Sequence, residues 1–329
     1  METPNLKPAA SQEPLNNPAY SLYAAHDVPG LLSLANQGDP SAQFIIGMCC
    51  KNGEGVERDM TEALKWFSMA ANQGNVEALY HLGLCYYKGE GTEKNVEDAV
   101  WLFRMAADQG NIESAYYLGL CNYRGEGTEK NDDEAAWWFR KAAQQGFAAA
   151  QDALGVCYFN GEGVEESLEA SVMWLHRAAE QGHAEAQFHL AKCYNCMGEH
   201  RCDEIAAEWY REAAEQGHAE AQFHLAKCYD SGMGVDRCEE KAAEWYRKAA
   251  EQGHAEAQFC LAECYASGIG ADLNEEKAVE WYRKAAEQGH REAMHNLGEC
   301  YEEGAGVEKD VAEAAKWYEM EDRELDKGH

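Results

Sequence analysis

Positive charge is scarce in this chain. Its 329 residues set 28 Lys and Arg against 59 Asp and Glu, a formal net charge of −31. Phosphate backbones are bound through clustered Lys and Arg, so the balance argues against nucleic acid as a partner. It argues equally against adhesion to an anionic membrane surface. A basic partner, or solubility alone, is the meaning left for such a field. Proline is also rare: six occur, and Pro4, Pro8, Pro14 and Pro18 precede residue 20. No apolar run approaches the ~20 residues of a membrane span. The opening METPNLKPAASQEPLNNPAY has no basic stretch followed by an apolar one. A secretory signal and membrane insertion are therefore not expected, and a cytoplasmic location is.

Catalytic motifs are missing too. There is no G-x-S-x-G, no H-E-x-x-H, no phosphate loop ending in Gly-Lys-Ser/Thr and no Ser-x-x-Lys. Gly-x-Gly segments do occur, but they follow helical patterns rather than strands and lack a third glycine, which argues against a phosphate site. No catalytic residue and no cofactor is expected.

What the chain has is a period. Gly38, Gly74, Gly110, Gly146, Gly182, Gly217, Gly253 and Gly289 recur at 36 residues, with a single interval of 35. A fixed period in the 20–50 range marks a stacked-repeat solenoid. Eight of the thirteen cysteines follow it: Cys49, Cys85, Cys121, Cys157, Cys193, Cys228, Cys264 and Cys300 share one slot. Equivalent positions on stacked helices lie at least ~8–10 Å apart, and a disulfide needs Cα atoms within ~7 Å. These cysteines read as small buried hydrophobes in a reducing compartment.

Each unit reads as two helices. In residues 75–110, helix A is expected from Val76 to Tyr87 and helix B from Val96 to Asp108, with Lys88-Gly89-Glu90-Gly91 breaking the chain between them. Ala78, Leu82, Cys85 and Tyr86 at i, i+4, i+7 and i+8 form one apolar stripe. Helix B places Trp66, Leu102, Trp138, Trp174, Trp209, Trp245, Trp281 and Trp317 in one slot, followed by an Ala-Ala pair in all but the last unit. The expectation is an all-α fold of about eight helix-turn-helix repeats over 39–325. A flexible segment over 1–29, a capping helix over 30–38 and a tail over 326–329 complete it. The charged Glu321-Asp322 end argues against end-to-end stacking, and a monomer is expected.

The pattern A-x(4)-[GA]-x(2)-Y-x(2)-G-x-G, then A-x(2)-W, then A-A-x(2)-G, resembles the Sel-one-like repeat family, a branch of the tetratricopeptide-like helical repeats. It departs at Cys50, at Asn122 and in unit five. The resemblance implies an α/α right-handed superhelix acting as an adaptor or scaffold that binds protein or peptide. One cysteine-rich branch implies an alternative, a penicillin-binding or weak β-lactamase-type hydrolase. Its cysteine spacing is absent here.

The helix period also points to a binding face. With the repeat alanine of helix A at zero and 100° per residue, the apolar slots 0, +4, +7 and +8 centre near 25°. Slots +2, +6 and +9 lie opposite and should be solvated or face a partner. In units one to four they are Phe44, Met48 and Lys51; Tyr80, Leu84 and Tyr87; Tyr116, Leu120 and Tyr123; Asp152, Val156 and Phe159. In units five to eight they are mostly polar. For slot +2, packing against neighbouring A helices is the preferred reading. For +6 and +9 of units two to four it is partner binding. The candidate groove is Tyr80, Leu84, Tyr87, Tyr116, Leu120, Tyr123, Val156 and Phe159, with Lys88 and Arg124 at its edge for an acidic flank.

Three further constellations were weighed. Cys193, Cys196, His200 and Cys202 form C-x(2)-C-x(3)-H-x-C in the shortened loop of unit five, a weak zinc candidate, since Cys193 belongs to the repeat slot and Cys202 has a twin in Cys238. His183, His218, His254 and His290 share a slot with Asn75, Asn111 and Phe147, which favours a helix start over a catalytic base. Glu54, Glu90, Glu126 and Glu162 supply one carboxylate per repeat, too few for a calcium shell of 6–8 oxygens.

Overall fold

A computed structural model describes residues 17–197 and 200–327, and every regular element among them is an α-helix. The helices fall into two compact units divided after Ser167. The N-terminal unit holds α1 (Pro18–Ala24) and α2 (Val28–Asn36), then the pairs α3 (Pro40–Asn52) with α4 (Met60–Ala71), α5 (Val76–Lys88) with α6 (Val96–Asp108), and α7 (Ile112–Arg124) with α8 (Asp132–Gln144), and last α9 (Ala148–Asn160). The C-terminal unit opens with α10 (Leu168–Ala179). It continues with α11 (Ala184–Cys196) and α12 (His200–Glu215), α13 (Ala219–Ser231) and α14 (Glu239–Glu251), α15 (Ala255–Ser267) and α16 (Glu275–Glu287), and α17 (Arg291–Glu303) and α18 (Val311–Lys327). Within each unit successive helices pack on one another, so the solenoid expectation holds.

Local chemistry sets the helix ends. The Asn75 side chain accepts from the Ala78 amide and starts α5, and the Asn95 side chain accepts from the Asp98 amide and starts α6. Such caps contribute about 1 kcal/mol each. Between them Gly89 and Gly91 adopt φ of 74° and 75°. A Cβ at Gly91 would meet the Met60 carbonyl oxygen at 2.5 Å, because the turn rests on the start of the preceding B helix. Histidine takes the cap role in the C-terminal unit. Nδ1 of His183, His218, His254 and His290 accepts from the amide three residues on, at 3.1–3.2 Å. The helix-start reading of these histidines stands.

The core is a column of rings and small residues. Phe67, Phe103 and Phe139 are fully buried in the N-terminal unit, and Tyr210, Tyr246 and Tyr282 hold that slot in the C-terminal unit. Burying one such ring stabilises by roughly 1.5–3 kcal/mol. Gly83 lets Phe103 approach: a Cβ there would sit 2.7 Å from the ring. Repeats are also tied by glutamine relays. Gln73 Nε2 donates to Gln43 Oε1 at 2.7 Å, and Gln43 Nε2 donates to the Ala35 carbonyl at 3.1 Å. Gln216 with Gln187, Gln252 with Gln222, and Gln288 with Gln258 repeat the device.

Some expectations need adjusting. Residues 17–29 fall in the segment set apart as flexible, yet they include α1, whose Ala19 is fully buried; α2 starts at Val28, with its Asp27 cap accepting from the Gly30 amide. Residues 1–16, 198–199 and 328–329 lie outside the described residues. The thirteen cysteines are all free. Of the eight in the repeat slot, Cys264 and Cys300 are half-buried rather than buried. Burial pushes the Cys121 and Cys157 thiols up to about 12.

Candidate interaction face of the first helices

The A helices are covered over a wider arc than one apolar stripe allows. In the N-terminal unit α3, α5 and α7 each touch the helices before and after them, and rings of α3 and α5 also meet those of the next A helix. Leu84, of slot +6, is expected on the open side and is buried instead, while Phe44 and Asp152 of slot +2 are buried in keeping with the packing reading. Slot +2 packs as preferred: Tyr80 lies 6.4 Å from Phe103 and 6.0 Å from Tyr117, and Tyr116 lies 6.0 Å from Phe139 and 5.3 Å from Phe147. Leu120, Val156 and Phe159 are half-buried, and Lys88 and Arg124 are exposed.

Tyr87 and Tyr123 occupy a structural role that the sequence pattern did not reveal. Tyr87 wedges its ring against Phe103 and Tyr117, at 6.2 and 5.8 Å. Its hydroxyl donates to Glu126 of the next repeat's turn at 2.8 Å, and Tyr123 donates likewise to Glu162 at 2.8 Å. Tyr23 of α1 does the same to Glu54 at 2.7 Å. Burial, together with the Glu126 carboxylate, pushes the Tyr87 hydroxyl up to about 12; for Tyr123 the Glu162 hydrogen bond leads and the shift is also to about 12. The turn glutamates are thus acceptors for tyrosine. The signal was in the sequence: Tyr87 and Tyr123 each stand 39 residues before a turn glutamate, whereas Asn195, Asp230 and Ala266 precede turns without one.

Cations gather around these tyrosines in an otherwise acidic chain. Arg124 Nη1 donates to the Tyr87 hydroxyl at 3.4 Å, Lys94 lies over the Tyr87 ring at 5.7 Å, and Lys130 lies over the Tyr123 ring at 5.6 Å. Lys94 and Lys130 were not singled out from sequence, because they sit in the turns outside the helix pattern. In repeats five and six, slot +6 is lysine, and Lys192 and Lys227 lie over Phe188 and Phe223 at 5.6 and 5.5 Å. The large apolar +6 and +9 side chains are confined to the N-terminal unit, Ala266 being the one apolar residue of these slots beyond it.

Among the described residues no group of three or more His, Cys, Asp or Glu side chains is placed to hold a metal. Cys193 is buried with its Sγ 3.5 Å from Ser171 Oγ, Cys202 is half-buried, Cys196 is exposed, and the His200 side chain lies outside the described residues. Among the described residues no helix is long and apolar enough to cross a membrane.

Comparison with known proteins agrees with the geometry. No curated protein matches the chain. A solved structure of c5321, a protective antigen of uropathogenic Escherichia coli strains with an SLR fold, is 35% identical with a TM-score of 0.80, covering 90% of this chain and 64% of that one. This chain thus spans less than two thirds of that protein's length. A Sel1 repeat protein from Oxalobacter formigenes is 32% identical with a TM-score of 0.69, covering 84% and 80%. The Sel1 repeat model matches eight times in succession, at 40–75, 76–111, 112–147, 148–183, 184–218, 219–254, 255–290 and 291–320. With every helix from α3 to α17 falling inside one of those matches and α18 starting inside the last, the chain belongs to the Sel1 repeat family of helical scaffolds.

Proposed function

We propose that this chain is a non-enzymatic adaptor that binds a protein or peptide partner across the open side of its A helices in repeats one to four. One observation carries the reading. Half-buried Leu120, Tyr123, Val156 and Phe159 occupy slots +6 and +9, and exposed Lys94, Arg124 and Lys130 lie against Tyr87 and Tyr123 of slot +9, in a chain of net charge −31. Apolar side chains rimmed by one sign of charge suit an apolar peptide with an acidic flank. The Tyr–Glu pairs hold the face rigid, which lowers the ordering cost of binding. Leu120 and Phe159 form the floor, and Lys88 and Arg124 pair with the flank. Nothing favours the hydrolase alternative, for which the chain offers no Ser-x-x-Lys nucleophile.

The test uses a peptide selected from a random display library on the whole chain and titrated by calorimetry. Leu120→Ser with Phe159→Ser should weaken it at least about tenfold, equivalent to ~1.4 kcal/mol, with the circular dichroism spectrum unchanged. Unaltered affinity in a folded double variant contradicts the assignment.

A further inference from the structure

The B helices of the N-terminal unit carry a second surface. Trp101 on α6 is 61% exposed, and Trp137, in the same slot on α8, is 46% exposed. Adjacent helical residues point ~100° apart, so only one member of Trp101-Leu102 and of Trp137-Trp138 can face the core. Leu102 and Trp138 are the buried members.

On four other B helices a cation covers an indole, while among the described residues no Lys or Arg lies over Trp66, Trp209 or Trp317, which have Met69, Glu212 and Met320 at the equivalent position. Lys141 Nζ lies 4.0 Å from the Trp137 ring centroid and 5.0 Å from that of Trp138. In repeats four, six and seven the same position puts Arg177 over Trp174 at 4.7 Å, Lys248 over Trp245 at 3.7 Å and Lys284 over Trp281 at 3.8 Å, indoles in the slot of Trp138, so Trp137 is the direct counterpart of Trp101. In repeat two that position is Met105. Among the described residues no cation lies over Trp101. Exposed Glu97 and Asp98 stand one turn before it on α6 and exposed Asp108 two turns after. Nearby cations are already engaged: Arg104 with Glu134 at 2.7 Å, and Lys65, in Trp101's slot on α4, with Glu62 at 2.8 Å.

We infer that Trp101 seats a lysine or arginine side chain from a basic segment of a partner protein. The partner's cation lies over the indole face, where the chain's own repeats place one, and a neighbouring cation pairs with Glu97 and Asp98. The net charge of −31 favours approach of a basic segment. This surface lies on the B helices and does not depend on the A-helix reading.

The test titrates a fluorescein-labelled peptide of alternating arginine and glycine into the whole chain at about 0.1 M salt, where distant charges are screened. Trp101→Ala should weaken binding about fivefold, and Glu97→Gln with Asp98→Asn should weaken it comparably. Met105→Lys, which supplies the missing cation within the chain, should also weaken it. Neutralising the exposed pair Glu275 and Glu276 of α16 to glutamine should change affinity less than about twofold. The inference is overturned if Trp101→Ala binds as well as the parent, if both acidic pairs matter equally, or if the peptide does not bind. Circular dichroism confirms that each variant is folded.

Discussion

His81 shows how a single residue reports on the packing. Its ring is stacked 5.4 Å from Phe67 and lies 5.5 Å from Phe44, and burial lowers its pKa from 6.5 to about 3. The folded chain therefore refuses a proton that the unfolded chain accepts below about 6.5. Stability falls as pH drops from about 6.5 towards about 3, by ~1.4 kcal/mol per pH unit inside that window. His224, stacked on Tyr210 at 5.0 Å and lowered by burial to about 4, adds a second component of the same sign. His81→Phe keeps a ring in the site and removes an Nδ1 that has no hydrogen-bond partner among the described residues. The variant should match or exceed the parent in stability at pH 7, and its urea midpoint should fall less steeply between pH 6.5 and 5. An unchanged slope would show that His81 is not titrating in this window.

At the scale of elements, the link between neighbouring repeats is a hydroxyl and a carboxylate set on different helices and turns. Tyr87→Phe keeps the ring against Phe103 and Tyr117 and deletes the bond to Glu126 together with the long 3.4 Å one from Arg124. The expected cost is about 1 kcal/mol, since Glu126 is only half-buried and regains water. Amide exchange in the 125–127 turn should quicken in the same variant; a turn that exchanges at the parent's rate would deny the clamp. The sequence made the elements legible almost to the residue: α6 spans Val96–Asp108 as read, and α5 runs one residue past the expected Tyr87. Helix period, capping residues and glycine turns are local signals, so one chain suffices. The burial of Leu84 was not legible, because it depends on what packs against the helix from neighbouring repeats. Trp101 lies one residue before the repeat slot of the B-helix indoles, so the period carries no signal for it.

For the whole molecule, stability in a repeat array is close to a sum of intrinsic and nearest-neighbour terms. Each repeat can then vary its outward residues while keeping its ring, its alanines and its glutamine relay. The two units differ in what they leave open. Repeats two to four keep apolar slots beside lysine and arginine, while repeats five and six cover theirs with Lys192 and Lys227. That contrast is readable from the helix period, whereas the part played by Tyr87 and Tyr123 is carried by their 39-residue spacing from Glu126 and Glu162, outside that period. The central claim is that a partner uses the A-helix side of the first repeats. Hydrogen exchange of the chain, free and saturated with the display-selected peptide, tests it most directly. Protection concentrated in the C-terminal halves of α5, α7 and α9 is the predicted result, and protection confined to residues 168–327 would contradict it.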